Sequence, residues 1–169
     1  DILNTLDSYE SRSMHGQMPL VWHKAKGFNI YDKLGNKWID LTSTIFVTNI
    51  GHSNDYLLDK LKQFLDDELL HTYAYTNEIR ANYLEKLISF SPKNFEKAFL
   101  LSAGTETTEA ALKLMRMNGQ KNYSKKKIGI ICFEGNWHGR TIGSALLSGN
   151  NNQTKWIGFI DKKINHLDW

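Results

Sequence analysis

A second cysteine is missing: Cys132 stands alone in 169 residues, which rules out a disulfide within the chain and fits a reducing compartment. It follows an apolar run, the setting of a buried structural thiol rather than a nucleophile. No apolar stretch approaches the roughly 18 residues a membrane span needs. The opening Asp1-Ile2-Leu3-Asn4 lacks the basic lead and apolar stretch of a secretory signal, so the expectation is a soluble, cytoplasmic protein. Charge of one sign is scarce: the net value is +3 with the lysines and arginines dispersed, which argues against nucleic-acid binding. The one short basic run, Lys125-Lys126-Lys127, is a solvated lead-in to the apolar Ile128-Gly129-Ile130-Ile131. His15, His23, His52, His71 and His166 show no metal-ligand spacing, so no metal site is expected, and there are no internal repeats.

What is present is enough to build a core: hydrophobic residues make up 41% and aromatics 12%, with five Trp and eight Phe. Residues 1 to about 20 carry no firm pattern. Phe28-Asn29-Ile30-Tyr31 and Lys37-Trp38-Ile39-Asp40 flank Asp32-Lys33-Leu34-Gly35-Asn36, which predicts a β-hairpin. Thr42 to Ile50 reads as extended and irregular. Leu57, Leu58, Leu61, Phe64, Leu65 and Leu69 fall at helical spacing, as do Ile79, Tyr83, Leu84, Leu87 and Ile88 before Ser91-Pro92. A third helix is predicted from about Glu106 to Asn118, stopping at Gly119. Its buried stripe is Ala111, Leu114 and Met115, with Lys113 and Arg116 in water. The apolar runs Ala98-Phe99-Leu100-Leu101 and Ile128 to Phe133 read as strands of a parallel sheet covered on both faces. Two strands do not complete such a sheet, so the α/β domain is expected to be unfinished at Trp169.

Two turns carry candidate chemistry. Ser102-Ala103-Gly104-Thr105 joins an apolar run to a helix start, where unpaired amides and the positive dipole end suit a phosphate. A plain helix cap without a ligand fits the same residues. Glu106 and Glu109 lie close by and have to point away from any bound anion. The second turn, Gly135-Asn136-Trp137-His138-Gly139-Arg140-Thr141, follows a strand's carboxyl end, where open α/β sheets place ligands. A flat cofactor can stack on Trp137, and the fork of Arg140 can hold a carboxylate. A packed Trp beside a surface Arg paired to an acid is the alternative.

Taken together, these motifs resemble one family. The run from Ala103-Gly104-Thr105-Glu106 through Leu112-Lys113-Leu114-Met115-Arg116 resembles the phosphate-cup helix of class III (ornithine, acetylornithine and 4-aminobutyrate type) aminotransferases. Trp137-His138-Gly139-Arg140-Thr141 resembles their aromatic-His-Gly-Arg-Thr turn, Gly27 to Leu41 their N-terminal hairpin, and Gly51-His52 the pair before their first large-domain helix. The resemblance covers roughly residues 19 to 148. It implies the N-terminal part of a fold-type I transferase dependent on pyridoxal 5'-phosphate: an N-terminal segment with a β-hairpin over residues 1–50, then an incomplete large α/β domain over 51–169. It also implies a homodimer that moves an amino group from an amino acid or ω-amino compound to a keto acid.

By position, the resemblance gives Gly104 and Thr105 to the cofactor phosphate, Trp137 to the ring (where the family usually has Phe or Tyr) and His138 to a place beside it. It gives Arg140 to a substrate carboxylate, and Ile45 and Phe46 to the substrate side. The family's cofactor-bearing lysine, and the acid facing the pyridine nitrogen, come later than Trp169, so no catalytic residue is expected within the chain. None of its lysines lies in a matching context. Two rival classes stay open: a truncated, non-catalytic binding or interaction protein that keeps the phosphate pocket, and a nucleotide-binding α/β protein. The absence of a Walker-type lysine argues against the second.

Overall fold

The computed structural model describes residues 1–11 and 18–168; His15 lies outside the described residues. The chain divides into two compact units, Asp1–Glu78 and Ile79–Trp169.

The first unit opens with α1 (Ile2–Tyr9), whose start is capped by the Asp1 carboxylate accepting from the Leu3 amide, in a stretch where no firm element was expected. The predicted hairpin is there, with one strand more. β1 (Lys24–Lys26), β2 (Asn29–Tyr31) and β3 (Lys37–Ile39) form an antiparallel sheet in the order β1-β2-β3, pairing Ile30 with both Ala25 and Trp38. Asp32 shapes the β2–β3 turn by accepting from the Leu34 amide and from the Asn36 amide and side chain, which holds its carboxyl below the ordinary carboxylate range. Residues Ser43–Phe46, expected to be extended, form instead a single left-handed turn, α2. Asn54 caps α3 (Asp55–Asp66) through the Leu57 amide. The α3 apolar stripe is present but half exposed, and Leu69 falls beyond the helix end.

Most of α4 (Glu78–Phe90) opens the second unit, and it ends before Ser91-Pro92 as the sequence predicts. The unit continues with α5 (Gly104–Asn122), β4 (Ile130–Phe133), α6 (Ile142–Ser148), α7 (Asn151–Thr154) and β5 (Ile164–Leu167). The sheet is parallel, as predicted, but β4 pairs with β5, Ile130 facing Ile164 and Phe133 facing Leu167. Residues 98–101 form no strand. Hydrophobicity alone does not make a strand; a ladder partner does. Cys132, Leu147 and Ile164 form the core, with Leu112, Ile130 and Leu146 packed on it. Burial raises the Cys132 thiol above its ordinary range, consistent with an inert packing role.

Helix α5 departs from expectation twice. Its inward stripe is Thr105, Thr108, Glu109, Leu112, Arg116 and Gly119, while Ala111, Leu114 and Met115 are exposed. Arg116 is partly withdrawn from water because it is paired: its Nε donates to the Ile128 carbonyl at 3.1 Å and its Nη2 lies 2.8 Å from Asp161. Burial alone would raise the Asp161 carboxyl; the Lys163 amide and Arg116 outweigh it and hold it low.

The helix also runs through Gly119 instead of stopping there. A mid-helix glycine costs about 1 kcal/mol relative to alanine, but here it admits a second segment, since a Cβ at 119 would fall 2.1 Å from the Lys127 carbonyl oxygen. Gly119→Ala is therefore expected to lower the stability of the full-length protein by about 3 kcal/mol. A urea melt with an unchanged midpoint would contradict that packing.

Candidate functional site

The mouth of α5 is built around an absence. Its N-cap residue is Ala103, whose methyl offers no acceptor, and no side chain caps the helix. The first turn of any helix leaves its amides without intrahelical partners, so Gly104, Thr105 and Glu106 present theirs outward. Helices α1, α3 and α7 are capped by Asp1, Asn54 and Asn150, while α2 and α6, like α5, have no side-chain cap from their own N-cap residue. Space beside Gly104 is open: a Cβ built there meets nothing within 4 Å. The two nearby carboxylates are both engaged. Glu106 Oε2 accepts from the Ser102 amide at 2.9 Å, and Glu109 is turned sideways onto Thr141 and the Ser144 amide.

The turn after β4 lies against that mouth. Gly139 is buried at φ +124°, and a Cβ on it would come within 2.2 Å of the Thr105 hydroxyl. The two predicted motifs thus meet at Thr105 and Gly139. Trp137 stands out from the turn with 62% of its surface exposed. The Arg140 guanidinium carbon sits 5.7 Å from the centre of its ring. Among the described residues Arg140 has no acidic partner, so the alternative of a surface Arg paired to an acid does not hold here. His138 is half-buried, held through its backbone amide by the Ser148 hydroxyl at 3.0 Å. It borders a groove of about 500 Å³ between α5 and β4, with Asn136, Thr108 and Met115. The structure therefore brings Gly104, Thr105, Trp137, His138 and Arg140 into one neighbourhood.

Ile45 and Phe46 belong to the first unit, where they are 73% and 79% exposed on the left-handed turn α2. Ser43, Thr44, Ile45 and Phe46 have φ of 49°, 53°, 57° and 67°, a conformation that costs roughly 1–2 kcal/mol for each L-residue. Asp40 holds the turn in place. Its carboxylate accepts from the Thr42 amide and hydroxyl at 2.9 Å, from the Thr44 amide at 2.9 Å and hydroxyl at 3.3 Å, and meets His52 Nε2 at 2.8 Å. The Asp40 and His52 side chains are 5% and 10% exposed. The His52 bond leads the causes that hold the Asp40 carboxyl far below its ordinary range, with Thr42 and Thr44 adding to it against the opposing effect of burial. His52 is fixed in turn by an edge contact with Trp22 and by backbone pairing with Gly27.

Sequence reading treated His52 as an ordinary polar or packing residue and passed over the role of Asp40. The spacing of Asp40, Thr42 and Thr44, an acceptor with donors two and four residues on, was the available signal.

A family model described as aminotransferase class-III matches residues 10–167. The ornithine aminotransferase of Saccharomyces cerevisiae is 32% identical over 151 residues, covering 88% of this chain and 35% of that protein. Among solved structures, the ornithine aminotransferase of Toxoplasma gondii ME49 superposes with a TM-score of 0.87 at 20% identity, over 99% of this chain and 39% of that one. An omega transaminase from Pseudomonas jessenii, solved in complex with PMP, gives 0.81 at 22% identity over 95% and 36%. These two likenesses show the fold. The chain spans about a third of the length of the curated relatives it matches.

Proposed function

Because the chain belongs to the class III aminotransferases, we propose that the full-length protein transfers an amino group from an amino acid or ω-amino compound to a keto acid, using pyridoxal 5'-phosphate. In this reading residues 1–50 are the N-terminal segment, residues 51–169 begin the large cofactor-binding domain, and the lysine that carries the cofactor comes later in the sequence. The protein works as a cytoplasmic homodimer.

The observation that carries the reading is the uncapped mouth of α5 with the Trp137 turn pressed onto it through Gly139 and Thr105. The residues present fit the cofactor. Three outward amides and the positive end of a helix dipole suit a phosphate, and the Thr105 hydroxyl adds a donor. An exposed indole offers a flat face to a heteroaromatic ring. Once bound, the cofactor supplies an electron sink that eases proton removal beside the amino group.

The chain's own residues bind and orient. Gly104 and Thr105 anchor the phosphate, Trp137 limits ring tilt, and His138 borders the ring's edge. Arg140, without an acidic partner among the described residues, holds a substrate carboxylate, and Ile45 and Phe46, in the first unit, are given to the substrate side by the family resemblance alone.

Titrating the full-length protein with pyridoxal phosphate, followed by visible absorbance, tests this. Gly104→Asp places a carboxylate where the phosphate sits and is expected to weaken binding about a hundredfold. Trp137→Ala is expected to weaken it about tenfold. If the wild-type protein develops no visible band, or if both variants titrate like it, the assignment is wrong.

A further inference from the structure

We infer that Glu109 is a positioning residue that fixes the Trp137–Gly139 turn at its working height over the mouth of α5. This rests on the cofactor reading above and goes beyond it, since Glu109 itself faces away from the mouth.

The geometry is that of a helix cap supplied from another helix. The N-cap of α6 is Thr141, whose hydroxyl caps nothing in its own helix. It donates instead to Glu109 Oε1, and the same oxygen accepts from the Ser144 amide at 3.0 Å. A carboxylate is the strongest acceptor for such amides, and it faces the positive end of the α6 dipole. The first turn of α6 is shaped around it: a Cβ at Gly143 would lie 2.2 Å from Glu109 Oε2. Glu109 is one helical turn and a residue past Gly104, so this cap ties α6 directly to the cofactor-binding end of α5.

Two fully buried serines extend the tie to the aromatic turn. Ser144 and Ser148 are both 0% exposed. The Ser144 hydroxyl donates to the Thr105 carbonyl at 3.3 Å, and that of Ser148 to the Ser144 carbonyl at 2.9 Å. Ser148 then accepts the His138 amide at 3.0 Å. The turn is thus fastened at both ends, at Thr141 by Glu109 and at His138 by Ser148, with Gly139 wedged on Thr105 between them. Without the carboxylate, the Ser144 amide and the Thr141 hydroxyl lose their acceptor and α6 loses its seat. Trp137 then no longer holds one position relative to the amides.

The test uses full-length protein with Glu109→Ala, Glu109→Gln and Ser148→Ala. Three quantities are read: pyridoxal phosphate affinity, visible circular dichroism per bound cofactor, and amide exchange over residues 136–141 in ligand-free protein. Glu109→Ala is expected to weaken binding about tenfold, to reduce the dichroic signal at saturation and to speed exchange. Glu109→Gln keeps an acceptor oxygen for both donors and is expected to restore most of each. Ser148→Ala is expected to speed exchange at His138 and reduce the dichroism, and it serves as a second probe where Glu109→Ala fails to fold. A purely structural role would lower thermal stability but leave the dichroism per bound cofactor intact, and that result overturns the proposal. Equal failure of Gln and Ala overturns the hydrogen-bond account. A wild-type protein that takes up no cofactor defeats the functional reading as well, which separates that failure from one confined to Glu109.

Discussion

Arg140→Ala in the full-length protein is expected to cut kcat/KM for a carboxylate-bearing substrate by about thirtyfold or more, with most of the loss in KM. The guanidinium has no acidic partner among the described residues and rests over an exposed indole, so its planar fork is available to a ligand. Truncating one side of a hydrogen-bonded charge pair costs roughly 2–5 kcal/mol, and each 1.4 kcal/mol is a factor of about ten. Lysine keeps the charge but not the fork, so Arg140→Lys is expected to recover only part of the loss. Amines lacking a carboxylate supply the internal control, since their turnover is expected to change little. Steady-state kinetics with both substrate types decide the matter. Equal losses for both would remove Arg140 from carboxylate binding.

Gly139→Ala is expected to have the largest effect on cofactor retention. Two independent costs meet at this position. The backbone sits at φ +124°, where L side chains are strained by about 1–3 kcal/mol. The new methyl also lands within 2.2 Å of the Thr105 hydroxyl, an overlap of the kind that costs about 1–3 kcal/mol even after neighbours shift. Relief requires the turn to lift from α5 or Thr105 to rotate away, and either motion separates the indole from the amides. Equilibrium dialysis of pyridoxal phosphate against the full-length variant is expected to show affinity lower by roughly thirtyfold to ten-thousandfold. Gly135→Ala makes the matching control: φ is +73°, but the methyl meets nothing within 4 Å, so strain acts without the clash. If the two variants retained cofactor equally, the contact with Thr105 would have no part in binding.

Much of this was legible in the residues. The hairpin announced itself because Asp32-Lys33-Leu34-Gly35-Asn36 encodes a local turn, and local hydrogen bonds suffice to form it. The pairing of Gly104-Thr105 with Trp137 to Arg140 was visible as two spaced motifs, and the structure joins them at Thr105 and Gly139. What stayed hidden depends on distant partners. Gly119 looked like a helix stop because its neighbour, Lys127, arrives only with the following turn. Ala98 to Leu101 looked like a strand because its apolar run matches one, yet the ladder forms between Ile130–Phe133 and Ile164–Leu167. The inward face of α5 was misassigned because Glu109 and Arg116 look like surface residues until Thr141, Ser144, Ile128 and Asp161 are in place to satisfy them.

The left-handed run at Ser43–Phe46 gives the first unit a conditional shape. None of its four residues is a glycine, so its own backbone bonds, Phe46 to Thr42 and Val47 to Ser43, are reinforced by the Asp40 carboxylate, which accepts from Thr42 and Thr44. The conformation is thus braced from just outside the run, at Asp40 and, through it, His52, and it is displayed at Ile45 and Phe46. Exchange of the Ile45 and Phe46 side chains leaves these bonds in place, whereas loss of the Asp40 carboxylate removes the acceptor of Thr42, Thr44 and His52 together. Diversity of apolar surface and constancy of trajectory are in this way assigned to different positions in the chain.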